Sequence, residues 1–377
     1  MSNPFVYGEI VPDEAFVDRE AELDRLITDL GGGQKVFLIS PRRYGKSSLI
    51  RQALGGLRRR GALTVDVTVS SYSSYVGFLE GYARALLVAE ARPDSLRRWI
   101  RDLLGPLRPE LRIDPGSRPS ISFPTVRTAR DASRLAEAIF ALPARIAELR
   151  RKRLVVALDE FQAINGFDGH DVEHALRAAI QHQRQVGYVF SGSEPSLMER
   201  MLARSRPFYK AGPVMRLQKI PADRFASFVN ERFTRTGFKP DAGLGAAIVE
   251  LAGNLPYDVQ RLAHEVWDDG RAAGRRMVGV EDLHATLRRL LNEHDAIFEA
   301  AWQRLTLPQR AALRAVVLED GRELLSGDVR ARHRLSGPSS VQTSLAALVR
   351  DDFVAREHAR YVVVDSLLRE WVARRTY

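Results

Sequence analysis

Residues 35–50 read KVFLISPRRYGKSSLI, and this stretch decides the fold. The apolar run over 36–39 predicts a buried β-strand, and the segment that follows the loop predicts an amphipathic helix. Between them lies a tight loop that ends in Gly45-Lys46-Ser47. A strand, a loop and a helix in this order are typical of a phosphate-binding P-loop, in which backbone N–H groups and a helix N-terminus face the phosphates.

The polar residues of this loop have predicted roles. Lys46 is expected to reach the β- and γ-phosphate oxygens, and the Ser47 hydroxyl is expected to ligate Mg²⁺. Ser40 departs from the G-x-x-x-x-G-K-[ST] pattern, because it stands where the first glycine belongs and tolerates fewer backbone φ values than glycine. The residues predicted to contact the nucleotide are Pro41, Arg42, Arg43, Tyr44, Gly45, Lys46, Ser47 and Ser48.

A second motif lies further along the chain, where residues 153–160 read RLVVALDE. Its continuous apolar run predicts a strand buried on both faces, and ligands of parallel sheets bind at the carboxyl ends of the strands. Asp159 and Glu160 stand at that end in a Walker B arrangement. Asp159 is predicted to hold Mg²⁺, usually through water, and Glu160 to polarise the attacking water. The two motifs together predict a P-loop NTPase.

The composition is that of an ordinary globular protein, with 45% hydrophobic and 28% charged residues. A chain of 377 residues predicts two or three domains. We find no apolar run long enough to span a bilayer and no signal-peptide pattern, so we expect a cytoplasmic protein without a membrane partner. The absence of cysteine excludes disulfides and thiolate metal sites.

The net charge of +10 and the isoelectric point near 10.0 permit a nucleic-acid partner. Much of the excess is arginine along predicted helices, where it is expected to form solvated faces. The run Arg150-Arg151-Lys152-Arg153 follows a predicted helix, and cations in that position complement the negative end of the helix dipole. We therefore expect this run to stabilise a helix end rather than to bind nucleic acid.

Three segments with different patterns follow one another. Residues 1–219 alternate predicted strands and helices, as expected of an α/β core. They include a proline- and arginine-rich excursion over 93–124, predicted to hold a short helix and irregular structure. Residues 220–292 are predicted to be helical and to form a lid that closes on the nucleotide. Residues 293–377 combine three helices with a hairpin, which is the pattern of a winged helix-turn-helix.

The predicted elements can be given bounds. Asp18 is the expected N-cap of an opening helix. The other helices of the core are predicted over 75–91, 135–149 and 174–185. The lid helices are predicted over 223–234, 241–251, 256–268 and 280–291, and the C-terminal helices over 308–318, 325–332 and 339–349. The hairpin is predicted to pair 353–356 with 360–364.

The predicted winged helix offers few specific contacts to DNA. Its third helix, which would enter the major groove, has no Arg or Lys before Arg350. The polar residues on its early turns are Gln342, Thr343 and Ser344. The wing residues, which suit phosphates rather than bases, are Arg356, His358 and Arg360. A module that docks against the lid or a partner protein is the competing interpretation.

The chain resembles, over nearly its whole length, the archaeal-type ATPases of the STAND/AAA+ group of P-loop NTPases. The P-loop and Asp159-Glu160-Phe161-Gln162 carry the resemblance, together with segments 16–23, 191–193, 206–210, 253–257 and 361–371. The resemblance implies an α/β P-loop core with a helical lid and a C-terminal winged helix, and ATP with Mg²⁺ rather than GTP. It also implies that Phe16, Val17 and Arg19 touch the adenine side of the nucleotide.

Further site residues come from the same likeness. In related NTPases a polar residue at the tip of the strand beside Walker B senses the γ-phosphate, and Ser191 and Ser193 are the candidates here. Pro256 is expected to pack against the adenine. Arg206 is the candidate for an arginine that stabilises the transition state, and the alternatives are Arg42 and Arg43. An arginine supplied to a neighbouring subunit would imply an ATP-dependent oligomer.

The leading hypothesis is an ATP-hydrolysing switch whose winged helix couples the bound nucleotide, ATP or ADP, to double-stranded DNA or to a protein effector. The alternative is a DNA-binding regulator of the replication-initiator or transposition type, in which ATP only sets the conformation. A third hypothesis is the ATPase half of a defence or toxin module that acts on a separate chain. Intact Lys46, Asp159 and Glu160 argue against a site that binds without hydrolysis.

Overall fold

The computed structural model describes residues 2–8, 17–90, 109–112, 120–167, 171–357 and 359–375. The chain divides into two compact units, one formed by Asp18–Gln218 and the other by Met1–Val17 together with Lys219–Tyr377. We call them the core unit and the helical unit. No helix among the described residues is both long and apolar enough to cross a membrane.

A five-stranded parallel sheet forms the centre of the core unit. Its strands are β1 (Lys35–Ile39), β2 (Leu63–Thr68), β5 (Leu154–Asp159), β6 (Val186–Gly192) and β7 (Val214–Arg216). They are arranged in the order β2-β5-β6-β1-β7, and all of their pairings are parallel. Strands β1, β5 and β6 read as continuous apolar runs because nearly all of their residues are buried.

This strand order positions the site. The P-loop strand β1 pairs with β6, and β6 pairs with the Walker B strand β5. Because parallel strands end at the same edge of a sheet, the residues that follow β1, β5 and β6 come together there. Below this edge, the rings of Phe37, Phe161, Phe190 and Phe208 pack with centroid distances of 4.6 to 5.6 Å. They form a rigid floor beneath the site.

Six helices are described in the core unit. They are α1 (Glu20–Gly31), α2 (Lys46–Arg59), α3 (Tyr75–Glu90), α4 (Ala129–Arg150), α5 (Val172–Ile180) and α6 (Pro195–Met201). The prediction that Asp18 caps α1 is wrong, since this residue has a φ of 44° and the N-cap position belongs to Arg19. No side chain caps the N-terminus of α1.

The bounds of α4 and α5 also differ from the predicted ones. Helix α4 begins at Ala129 rather than at residue 135, because Thr128 and Asp131 form a capping box ahead of the apolar stripe. Helix α5 begins at Val172, since the Asp171 carboxylate accepts the His174 N–H at 3.1 Å. It ends at Ile180, five residues before the predicted end at residue 185.

The excursion predicted over 93–124 lies mostly outside the described residues. Its described part contains a short antiparallel pair, β3 (Glu110–Arg112) and β4 (Ser120–Ser122), in which Glu110 pairs with Ser122. The sequence pattern did not predict this pair. The short helix predicted in the excursion falls outside the described part of the chain.

The helical unit contains the predicted lid and the predicted winged helix. The lid elements are α7 (Ala222–Arg235), β8 (Lys239–Pro240), α8 (Leu244–Leu251), α9 (Pro256–Ala272), β9 (Met277–Val278) and α10 (Val280–Arg304). They are followed by α11 (Leu307–Leu318), α12 (Gly327–Arg332), α13 (Pro338–Arg350), β10 (Val354–Glu357), β11 (Arg360–Val363) and α14 (Ser366–Arg374).

Two predictions for the helical unit need correction. Helix α10 continues past the predicted end at residue 291, because Phe298 and Trp302 extend its buried face to Arg304. It therefore passes through the boundary predicted between the lid and the winged helix. The hairpin strands are shifted, and Glu357 pairs with Arg360, so the strands are joined by two residues instead of three.

The lid and the winged helix share one apolar core. A single cluster of buried side chains includes Phe225 and Val259 from the lid helices and Leu345 and Trp371 from the C-terminal helices. Polar contacts join the same two parts. The Trp371 indole donates to Asp295 at 2.8 Å, an Arg369 guanidinium nitrogen donates to the Leu251 carbonyl at 2.9 Å, and Lys219 forms an ion pair with Glu357 at 3.2 Å. These two parts are therefore one packed body.

The N-terminal segment over 2–8 belongs to this same body. The Phe5 ring is buried against Phe233, with ring centroids 4.9 Å apart. The Tyr7 hydroxyl donates to Glu265 at 2.7 Å, and the Val6 N–H donates to Gln260 at 3.2 Å. The pKa of Tyr7 is raised to about 12, first by burial and then by its bond to Glu265. Sequence reasoning did not place this segment in the helical unit.

Removal of the Phe5 ring should destabilise the helical unit. Phe5→Ala deletes a buried aromatic side chain, and such deletions cost about 3–5 kcal/mol of unfolding free energy. The matched control Ile297→Ala removes an exposed side chain, at 64% exposure, and should change stability by less than about 0.5 kcal/mol. Urea unfolding followed by tryptophan fluorescence measures both, since Trp267, Trp302 and Trp371 lie in this unit. Equal stability of the two variants would contradict the packing described.

Candidate nucleotide-binding site

The loop between β1 and α2 has the backbone that phosphate binding requires. Gly45 lies at the N-cap of α2 with a φ of 84°, a conformation that favours glycine. A Cβ at this position would meet no atom within 4 Å, so the space beside the loop is open. Ser40 is buried and is not among the residues with positive φ. The serine therefore fits where the general pattern has glycine.

Lys46 lies between the two predicted acidic residues. Its ammonium nitrogen is 3.5 Å from an oxygen of Asp159 and 3.5 Å from an oxygen of Glu160, and the side chain is almost fully buried. The Ser47 hydroxyl donates to the second Asp159 oxygen at 3.1 Å. The Ser191 hydroxyl donates to Oδ1 of Asp159, the same oxygen that faces Lys46. The structure thus brings the residues of both motifs and the end of β6 into one hydrogen-bonded cluster.

The Glu160 carboxylate is held by donors on one side. Both the Ser193 hydroxyl and the Gln162 amide donate to its Oε2 at 2.6 Å, whereas Oε1 faces Lys46. The backbone of Glu160 has a φ of 51°, which is unfavourable for a residue other than glycine. Such a conformation persists when its surroundings determine it. Strain and hydrogen bonds together fix the direction of this carboxylate.

Gln162 is a residue of the cluster to which sequence reasoning assigned no role. Its side chain is 6% exposed, and its Oε1 has no hydrogen-bond partner among the described residues. A Cβ on Gly192 would lie 2.6 Å from this oxygen, so the close approach requires glycine at the end of β6. The only signal in the sequence was the position of Gln162, two residues after Glu160. Its role depends on a turn that the sequence pattern does not specify.

The donors in this cluster fit Mg²⁺ and a nucleoside triphosphate. The Ser47 hydroxyl and the Asp159 carboxylate supply the oxygen ligands that Mg²⁺ prefers. In the described part of the chain, no group of three or more His, Cys, Asp and Glu side chains could hold a metal by itself. This agrees with a Mg²⁺ site of the phosphate-bound kind, in which one or two protein ligands are joined by water and phosphate oxygens.

The other residues that the sequence predicts to contact the nucleotide are placed as follows. Pro41, Arg42, Arg43, Tyr44 and Ser48 lie in the loop and the first turn of α2, and the Tyr44 side chain is buried. The Arg19 guanidinium is buried, pairs with Glu22 at 2.8 Å and donates to the Gln218 carbonyl. Phe16 lies outside the described residues. In the helical unit, Val17 packs on the apolar core and Pro256 begins α9.

The predicted transition-state arginine has its own partner. Arg206 forms an ion pair with the buried Glu173 carboxylate, and it donates to Asn165 at 3.4 Å. These residues line a cavity of about 460 Å³. None of the contacts of Arg206 among the described residues involves Lys46 or Glu160. The structure does not bring this arginine into the cluster, and its catalytic role stays a prediction.

Fewer of the winged-helix residues predicted to contact DNA are available in the structure than the sequence suggested. Gln342 and Arg356 are exposed, but Ser344 is buried and Thr343 donates to a backbone carbonyl of its own helix at 2.9 Å. Arg360 pairs with Asp320 at 2.8 Å, so its charge is already matched. His358 lies outside the described residues.

Solved structures with the same fold support this architecture. A Walker-type ATPase of Pyrococcus abyssi is similar with a TM-score of 0.61 and 17% identity, covering 97% of this chain and 99% of that chain. The ORC2 protein of Aeropyrum pernix gives a TM-score of 0.58 at 14% identity, covering 97% and 95%. The ORC1 protein of Aeropyrum pernix in complex with DNA gives 0.52 at 15% identity, covering 98% and 96%. No curated protein matches the chain.

Two family models match the sequence. A model described as "probable winged helix domain" matches residues 296–374. A model described as "ATPase domain predominantly from Archaea" matches residues 16–262, well over half of the chain. The predicted fold class is confirmed: a P-loop α/β core with a parallel sheet, a helical lid and a C-terminal winged helix. The protein is an ATP-hydrolysing enzyme of the P-loop class, and the chain belongs to the family of ATPase domains found predominantly in Archaea.

Proposed function

We propose that this protein is a Mg²⁺-dependent ATP-driven switch that passes its nucleotide state to a DNA or protein partner. The observation that carries the proposal is the cluster at the carboxyl ends of β1, β5 and β6, where Lys46 contacts both Asp159 and Glu160. Assignment to the STAND group, a cytoplasmic location and ATP-dependent assembly into oligomers stay predictions.

Lys46 is the residue that exchanges partners during the cycle. It is nearly buried, so its charge must be matched, and the two carboxylates match it here. The oxygens of the β- and γ-phosphates offer an alternative partner of higher charge. When Lys46 turns to them, it stabilises the charge that develops as the bond to the γ-phosphate breaks. Mg²⁺, when bound, neutralises further charge on the same phosphates.

The same exchange prepares Glu160. Its Oε2 is occupied by Ser193 and Gln162, whereas its Oε1 is shared only with Lys46 among these contacts. Departure of the ammonium leaves Oε1 able to accept a hydrogen bond from the attacking water. We therefore assign Glu160 as the residue that orients the water and Oε1 as the atom that does so. Ser191 and Ser193 act by fixing Asp159 and Glu160.

The coupling of nucleotide state to the partner is proposed to pass through the helical unit. We retain 220–292 as the lid and 293–377 as the winged helix, and we take the ATPase core predicted over 1–219 without the N-terminal segment that belongs to the helical unit. The shared apolar core supports coupling, because a lid that responds to ATP would carry the winged helix with it. A partner that prefers one nucleotide state would then sense hydrolysis.

DNA is the partner that the comparisons favour. The winged helix model and the likeness to an ORC1 protein in complex with DNA support this proposal. The second candidate function is the initiator- or transposition-type regulator in which ATP only sets the conformation. The third candidate function is coupling to a separate protein effector.

Substitution of Lys46 and Glu160 should separate binding from hydrolysis. Lys46→Ala should weaken ATP binding and abolish turnover, because it removes the charge that faces the phosphates. Glu160→Gln should keep ATP binding and lower kcat by about 10²- to 10⁴-fold, the usual contribution of a catalytic base. Steady-state hydrolysis, with and without duplex DNA, and binding of a fluorescent ATP analogue measure both effects.

The matched control for Glu160→Gln is Glu137→Gln, which makes the same change at an exposed position on α4 and should retain full activity. A Glu160→Gln variant as active as this control would refute the proposed role. A wild-type protein that binds ATP without turnover under every condition would favour the regulator in which ATP only sets the conformation.

Gln162 should act through Glu160. We expect Gln162→Ala to lower kcat about tenfold while the KM for ATP changes little, since the variant disturbs the orientation of a carboxylate and leaves the phosphate-binding loop intact. In a Glu160→Gln background the same substitution should lower kcat by less than about twofold. Losses that multiply in the double variant would show that Gln162 acts independently of Glu160. Gln309→Ala, in the helical unit, is the control for loss of a glutamine.

A further inference from the structure

The edge of the core sheet at which its strands begin, opposite the P-loop, is strongly basic. Because the sheet is parallel, the segments that lead into β2, β5 and β6 lie side by side at this edge. The Leu63 N–H donates to the Arg153 carbonyl at 2.9 Å, and the Leu154 N–H donates to the Gln185 carbonyl at 3.3 Å. Eight exposed cations occupy these segments, and we call them the basic edge: Arg58, Arg59, Arg60, Arg150, Arg151, Lys152, Arg153 and Arg184.

Few carboxylates balance these cations. The last turns of α1, α2, α4 and α5, which end at this edge, contain only Asp29 and Glu148 as acidic residues. Asp29 already lies 3.7 Å from Arg25. In the described part of the chain, no carboxylate lies within 4.0 Å of the charged groups of Arg60, Lys152 or Arg184. At these three positions the positive charge therefore has no carboxylate partner among the described residues.

Helix dipoles do not account for the accumulation. Each helix C-terminus is equivalent to about half a negative charge, so the five described helices that end here, α3 included, supply about two to three. Together with the two carboxylates they offset about half of the eight positive charges. The sequence-based expectation that the run over 150–153 serves a helix end explains one segment. It does not explain why three segments bring cations to the same edge.

A partly buried lysine lies beside this edge. The pKa of Lys35, at the start of β1, is lowered first by burial and then by the charge of Arg177. Lys35 is held by the Gly33 and Gln183 carbonyls, each at 2.8 Å. An Arg153 guanidinium nitrogen donates to the Arg184 carbonyl at 2.9 Å, which joins two of the segments. The basic edge is thus an ordered part of the fold.

The charge of the whole chain is concentrated in the core. Residues 1–219 carry 34 Lys and Arg against 25 Asp and Glu, whereas residues 293–377 carry 13 against 12. The winged helix is therefore almost neutral overall and contributes little net charge to the electrostatic attraction that draws a protein to nucleic acid. If the protein binds DNA, the cations of the core are the stronger source of that attraction.

We propose that the basic edge is a docking surface for the phosphate backbone of double-stranded DNA, separate from the nucleotide site. Seven of its eight cations are arginines, whose forked donors match phosphate oxygens. The three segments span two interstrand spacings, about 10 Å, and phosphates of one strand rise by about 3.4 Å each along the helix axis. The edge therefore matches at least three consecutive phosphates. The choice of DNA rests on the proposed function.

A lipid surface is less well matched. In the described segments that lead into β2, β5 and β6, the one exposed large apolar side chain is Leu149, at 60% exposure. A single apolar residue does not form a patch that would enter a bilayer. Binding through the basic edge would be independent of sequence, and it would place the ATPase core itself on the DNA.

The test removes one cation from each segment. We expect the variant Arg60→Ala, Lys152→Ala, Arg184→Ala to bind a 30-base-pair duplex at least tenfold more weakly than wild type at low salt. The slope of log affinity against log salt should fall by about 2 to 3, because three phosphate contacts are lost. Hydrolysis of ATP without DNA should equal that of wild type, which shows that the core is folded and tests the proposed function separately.

The matched control removes three exposed arginines from the helical unit: Arg288→Ala, Arg304→Ala, Arg314→Ala. It changes the net charge equally and should bind DNA with nearly wild-type affinity and slope. A second variant, Arg60→Lys with Arg184→Lys, keeps the charge and should retain the slope. Equal binding by the basic-edge variant and wild type would overturn the proposal. A basic-edge variant that loses binding to phosphatidylserine vesicles but keeps its affinity for DNA would also overturn it. So would a wild-type protein that hydrolyses ATP and binds no DNA.

Discussion

The nearly buried ammonium of Lys46, placed between Asp159 and Glu160, is the interaction on which the rest of the site depends. A buried charge requires partners, and here the partners come from a strand two positions away in the sheet. Their carboxylates in turn collect the hydroxyls of Ser47, Ser191 and Ser193. The parallel strand order thus converts three separate sequence segments into one network that holds a single exchangeable charge.

The core sheet has chemically different edges. The edge that receives the carboxyl ends of the strands carries a pair of acidic residues that hold a lysine, whereas the opposite edge carries eight exposed cations. Each edge suits a phosphate ligand of a different kind. At the first, a few preorganised groups surround a single triphosphate; at the second, spaced cations follow a repeating backbone. One parallel sheet therefore provides both arrangements, because its loops at each edge are independent of one another.

Much of the fold and part of the site could be predicted because their signals are local. The P-loop and the Walker B strand each lie within a few residues, and both motifs appear in the cluster as expected. Features that depend on long-range packing could not be predicted in this way. The role of Gln162 requires the turn after β5, the length of α10 follows from the burial of Trp302, and the place of Phe5 depends on Phe233. Recognition of the basic edge required the strand order, because its cations come from three separate segments of the sequence.

The burial of Phe5 against Phe233 has a consequence for folding during synthesis on the ribosome. The first residues of the chain belong to the unit that is synthesised last, and the ATPase core is made in between. At about 5–20 residues per second, an exposed N-terminal aromatic segment must wait on the order of ten seconds or more for its partner. Throughout that interval the nascent chain carries the ATPase core together with an apolar segment that lacks its packing partner, a kind of segment that chaperones bind.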